Sequence, residues 1–289
     1  MKTAFAVLAV MGLSSAPLLA FQRETTNDPS CAEGPGVNCP HLGTPLSWRS
    51  FPVLYFINSD RSGLSLDAAR SPIDAAFSSW QSGSRNGITF AFGGQSHNGS
   101  DGQDGQNTIS WLSLSNATDT FAQTILTFDS QSGQIFDADV ELNDNFQFAV
   151  LPAGEDDPND QTVDLQAVLT HEAGHLLGLD HENRFGPQVV MFFEDTTGDT
   201  THRALNGDDQ SGARTIYPSS GGGSGSGGGG GGCLLGPSPG ANDVWPVAAL
   251  FAWLVARQVG GSKPSSRRRL SSVGYEIASA PAAAERRPS

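Results

Sequence analysis

The stretch that most constrains this chain is His171-Glu172-Ala173-Gly174-His175-Leu176-Leu177-Gly178-Leu179-Asp180-His181. Leu165, Val168, Leu169, Ala173, Leu176 and Leu177 recur at helical spacing, so a helix is expected over Val163–Leu177. Positions i and i+4 of a helix project from the same side. His171 and His175 can then take two corners of a tetrahedral Zn²⁺, and Glu172 can reach a water on the metal. Gly178 can adopt the left-handed turn that stops the helix. That turn swings His181 round as a third ligand. Met191 follows ten residues on, after Gly186-Pro187, in a segment expected to fold beneath the metal as a hydrophobic floor rather than as a ligand. Three imidazoles leave the fourth position of the metal to water, whose pKa zinc can bring down to about 7. Glu172 is then the expected general base, taking that proton and later giving it to a leaving amine. The chemistry these residues point to is zinc-dependent hydrolysis.

Upstream, Phe51–Ile57 is rich in aromatic and β-branched residues and predicts a strand. Ser71-Pro72 reads as a helix start, with Ile73, Ala76, Phe77 and Trp80 on one buried face and Gly83 at the end. Ile88–Phe92, Thr108–Leu112, Thr120–Phe128 and Ile135–Leu142 are further strand candidates. Asp137, Asp139 and Glu141 alternate and so share one strand face. A bound cation or an exposed edge would relieve their repulsion, and the stretch near Asp137–Asn143 is expected to be the edge that pairs with a substrate strand. Asp101, Asp104 and Asn107 sit three apart in a Gly-rich loop and offer oxygen ligands for Ca²⁺. His41, His97 and His202 read as surface residues, and Glu194 and Asp195 as solvated residues at the cleft.

The His-Glu-His-Gly-His string with a later Met resembles the metzincin signature. Within that clan the chain is similar to matrixin catalytic domains over about Trp48–Pro218. GHLLGLDH, the opening LSWRSFPVLYFI, the helix with Phe77 and Trp80, the ADVELN strand and the closing DDQSGARTIYP stand in matrixin order. The resemblance implies an α+β fold: a metzincin-like mixed five-stranded sheet with one antiparallel edge strand, packed with long helices, and an active-site helix followed by a Met-turn. The chain departs from the pattern in places. Glu182 follows the third His where matrixins usually carry Ser and astacins carry Glu. Phe192-Phe193 replaces the usual Tyr-Pro after Met191, so the metal-reaching Tyr of astacins is absent. There is no matrixin-type Cys-switch motif. A relative using Glu182 or Glu194 in place of His181 is a further reading of the site.

The ends suggest export. Residues 1–20 have the basic start, apolar run and small-residue end of a signal peptide. Residues 21–47 form an N-terminal segment in which Cys31 and Cys39 either close a local disulfide or supply a thiolate that caps the metal. The catalytic domain is expected over 48–218. A Gly/Ser tether spans 219–232. Residues 233–269 hold Cys233, the apolar Val244–Ala256 and Arg267-Arg268-Arg269, and resemble the C-terminal sorting signals of myxobacterial surface proteins, which implies attachment at the membrane or cell surface. A polar tail closes the chain at 270–289. Residues 21–218 carry 27 acids against eight arginines, a surface that repels phosphate backbones and excludes nucleic acid as a partner. The expected product is an exported, monomeric zinc endopeptidase. The competing class is a non-catalytic, envelope-tethered binding or adhesion protein on the same fold, against which the intact Glu172 argues.

Overall fold

The computed structural model describes residues 21–27, 34–85, 87–99, 104–114, 119–154 and 161–218, together with the backbone of 267–271 and 276–277. The leader, Cys31, Asp101, the Gly/Ser tether and the apolar stretch 244–256 lie outside the described residues.

In chain order the first elements are β1 (Gln22–Arg23), β2 (Val53–Asn58), α1 (Leu66–Gly83), β3 (Phe90–Gln95) and β4 (Asn107–Leu112). Then come β5 (Ala122–Asp129), β6 (Ile135–Asn143), β7 (Gln147–Ala149), β8 (Thr162–Asp164) and α2 (Leu165–Leu176). The last are β9 (Leu179–Asp180), β10 (Glu194–Asp195), α3 (Gly207–Ile216), β11 (Arg267–Ser271) and β12 (Glu276–Ile277). The chain's own domain sheet runs β5-β6-β4-β2-β3. Strands β3, β2, β4 and β6 are parallel, and β5 runs antiparallel to β6. This is the expected mixed five-stranded sheet with an antiparallel edge strand. The tail strand β11 adds to the outer side of β5.

The position of the edge corrects the reading of Asp137, Asp139 and Glu141. They lie on β6, paired on both sides, and all three are buried. Asp139 Oδ1 accepts from the Thr108 N–H at 2.9 Å, and Glu141 Oε2 accepts from Gln123 Nε2 at 2.6 Å. Polar alternation on this strand marks internal hydrogen bonding between neighbouring strands, not exposure. Within the five domain strands the antiparallel edge is β5, not β6.

Helix α1 starts earlier than Ser71-Pro72. Ser65 is its N-cap and accepts from the Ala68 N–H at 3.2 Å. Asp67 in the first turn suits the positive end of the helix. Pro72 therefore sits inside, on the face formed by Ala69, Pro72, Ile73, Ala76, Phe77 and Trp80. That face lies on α2, where Trp80 Nε1 donates to the Thr170 carbonyl at 2.7 Å. In α2 every residue but Gln166 is buried. It is capped by Asp164, which accepts from the Ala167 N–H at 2.8 Å and is also gripped by Arg203. Helix α2 is thus held between α1 and the sheet.

The N-terminal segment joins this core. Phe21 and Leu46 belong to it, and β1 pairs antiparallel with β9. Cys39 is disulfide-bonded, with a partner outside the described residues. Its sulfur is therefore not a thiolate ligand.

Candidate active site

Helix α2 presents His171 and His175 one turn apart. Gly178, at φ +87°, then ends the helix. A Cβ at this position would stand 2.6 Å from the Leu46 carbonyl oxygen, so both the turn and the close approach require glycine. The chain returns as β9, pinned by β1, and delivers His181 to the same point. The three Nε2 atoms are 3.0 Å (His171–His175), 3.2 Å (His171–His181) and 3.1 Å (His175–His181) apart. Two nitrogens held tetrahedrally at zinc–nitrogen bond lengths stand about 3.3 Å apart. The triangle therefore fits a single zinc ion.

The remote ring nitrogens fix the tautomers. His171 Nδ1 donates to the Val190 carbonyl at 2.7 Å, and His175 Nδ1 donates to the Leu179 carbonyl at 3.0 Å. Each leaves an Nε2 lone pair aimed at the common point. His171 is fully buried, and its pKa lies well below the usual histidine value, through burial first and the neighbouring His175 and His181 second. A neutral imidazole is the ligating form.

Glu172 is fully buried beside the triangle. Thr124, on β5, donates its hydroxyl to Glu172 Oε2 at 2.6 Å. This contact joins the edge strand to the expected base, and no local spacing announced it. Asp209 is the second residue the sequence reading missed. It sits in the first turn of α3 and accepts from the backbone N–H groups of Val190 at 3.0 Å, Met191 at 3.3 Å and Asn206 at 2.8 Å. The capping-box spacing Asn206–Asp209 was the available signal. Met191 itself is buried under α2 against Gly174, and its carbonyl accepts from the Glu182 N–H at 2.7 Å.

Glu182 points elsewhere. Its carboxylate takes Arg184 Nε at 2.8 Å and Asn38 Nδ2 at 3.2 Å. It is the His181 Nε2 atom, not the Glu182 carboxylate, that meets those of His171 and His175. Phe193 packs against His181, with ring centroids 6.5 Å apart. His202 is buried, not on the surface: Nε2 donates to the Pro187 carbonyl at 2.9 Å, and Nδ1 faces Asp195 at 3.6 Å and Asp199 at 4.0 Å. Asp195 is likewise buried, which raises its pKa to about 6 against the pull of His202. In the loop considered for calcium, the Asn107 side chain is engaged within the sheet, donating to Leu54 O and accepting from Ala138 N, while Asp104 Oδ1 accepts from the Gln106 N–H.

The matrixin family model, of the M10 peptidases, matches residues 47–218. Matrix metalloproteinase-C of Caenorhabditis elegans is 30% identical over 184 residues, an alignment covering 59% of this chain and 28% of that protein. The chain thus spans well under a third of the length of this relative.

Proposed function

The chain belongs to the matrixin family, and from that premise we propose that it is a zinc endopeptidase in which His171, His175 and His181 hold the metal and Glu172 is the general base. The observation that carries this reading is the convergence of three Nε2 atoms within 3.2 Å of one another beside a buried carboxylate. When bound, zinc supplies a Lewis acid that activates water and polarises a carbonyl. The chain's own groups do the rest. Glu172 receives the proton of the attacking water and returns it to the leaving amine. The Thr124 hydroxyl, donating to Oε2, holds the carboxylate in one orientation. The carbonyls of Val190 and Leu179 keep the Nδ1 protons in place and the ligand faces neutral. A peptide substrate pairs as an added strand on the outer side of β5, within reach of the base that Thr124 touches.

Replacing Glu172 by Ala removes the base and leaves the three ligands. Zinc content of the purified Glu172→Ala protein should stay at the parent level while turnover of a quenched fluorescent peptide falls by roughly 10²–10⁴. Parental turnover in that variant sinks the reading. We also propose that residues 1–20 direct export and that residues 233–269 hold the protein at the cell envelope. Fractionation of producing cells tests this, since recovery of all the protein in the cytosol contradicts it.

A further inference from the structure

Strands β11 and β12 come from beyond the Gly/Ser tether, yet both lie on the catalytic domain. β11 runs antiparallel along β5, with Arg267 opposite Asp129 and Ser271 opposite Ile125. The next position of β5 in that direction is Thr124, the residue that donates to Glu172. β12 runs parallel to β10, with Glu276 opposite Glu194 and Ile277 opposite Asp195. β10 directly follows Phe193, whose ring packs against His181. The two tail strands therefore flank the site, one ending a position short of Thr124 and the other beginning a position after Phe193.

We propose that the tail strands Arg267–Ser271 and Glu276–Ile277 lie along the peptide groove of their own domain and compete there with substrates. This rests on the peptidase reading of the site. An edge strand presents a row of backbone N–H and C=O groups to any extended chain. β11 engages that row on β5 over five consecutive positions. Net charge favours the match: the tail carries Arg267-Arg268-Arg269, and residues 21–218 carry 27 acids against eight arginines. Tethering favours it too, because a linked segment faces its site at an effective concentration of about millimolar. An incoming peptide must displace β11 before it can pair with β5. A bilayer span through Val244–Ala256 would set Arg267–Arg269 across the membrane from the domain, so the occupied groove belongs to chains whose tail is not inserted.

The test uses the full chain with Arg269→Pro and Leu270→Pro together. Successive residues of a strand aim their N–H groups to opposite sides, so one of two adjacent prolines must remove a donor to β5. The tail variant should show a KM for a fluorogenic peptide about tenfold lower than the parent, as a millimolar competitor of ~0.1 mM affinity requires, with kcat unchanged. A synthetic peptide of residues 267–277 should then inhibit the variant competitively and the parent far less. Equal KM values in two active proteins overturn the proposal and leave the peptidase reading standing. If zinc-loaded parent and variant both fail to turn over peptide, the peptidase reading fails instead. Occupancy is then read by fluorescence polarisation of labelled 267–277 peptide in the Glu172→Ala background. About tenfold tighter binding to the proline variant supports it, and equal affinity overturns it.

Discussion

Gly174 stands at a variable position of the metal-binding string, yet the structure leaves no freedom there. A Cβ on it would run into Met191 Sδ and stand 2.9 Å from Trp80 Cζ2. The glycine lets α2 lie directly on the Met-turn and on α1. Gly174→Ala should therefore lower unfolding free energy in urea by about 1–3 kcal/mol, the usual range for overpacking. Combining it with Met191→Ala should cost less than the sum of the two single changes, because the shorter side chain vacates the space. Additive values would mean that the two residues do not share that contact. The contrast with its neighbours explains what was legible. His171, Glu172, His175 and His181 are set by one helix and one glycine turn, so eleven residues of sequence carry their geometry. Thr124 reaches Glu172 from 48 residues away, and Asp209 reaches Met191 from 18. Neither leaves a periodic trace, because tertiary packing alone brings them in. His202 was read as exposed because its neighbours Thr201 and Arg203 are polar, whereas it is buried against Asp195 and Pro187.

At the level of elements, strand existence followed from composition while their place in the sheet did not. β2, β4, β5 and β6 lie within a residue or two of the expected runs, since β-branched and aromatic clusters mark them. Which of β5 and β6 forms the edge depends on pairing across the sheet, and the acids of β6 pointed the wrong way. Helix α1 shows the same limit: Ser71-Pro72 resembles a start, but Ser65 caps a turn upstream and continues the same buried face. The N-terminus of α3 is the element with the clearest consequence for the site. Asp209 closes the capping box of α3 and, with the same carboxylate, holds the Val190 and Met191 N–H groups. Asp209→Ala leaves those buried donors without their acceptor, at about 1–3 kcal/mol each. The expected loss is roughly 2–4 kcal/mol in urea unfolding, with weaker zinc binding by competition against a chromogenic chelator, because Val190 also orients His171. Asp209→Asn keeps an acceptor oxygen and should recover part of both. Unchanged zinc affinity in Asp209→Ala would separate the cap from the metal site.

Over the whole molecule the acidic excess sets how stability responds to pH. Several carboxylates are held at raised pKa by full or partial burial in the fold. Asp195 is raised to about 6 mainly by burial. Asp208 is also raised to about 6, by burial first and then by Asp209 and Glu182, with Arg184 pulling the other way. Both have an ordinary value of 3.8. Between 3.8 and about 6 the folded chain keeps protons that the unfolded chain has released. Stability from these groups is thus fully present below their unfolded pKa and is lost as pH rises through the folded value. Asp208 is the one to test, since it lies beside the site loop without belonging to it. Asp208→Asn removes the ionisation and keeps the shape. At pH 7.5 it should raise stability by ~1 kcal/mol after screening by solvent, a Tm increase of about 2–4 °C for a domain of this size. Near pH 2.5, well below both values, the parent residue is protonated in both states, so the two proteins should melt together. A Tm difference independent of pH would show that the ionisation of Asp208 does not govern its contribution.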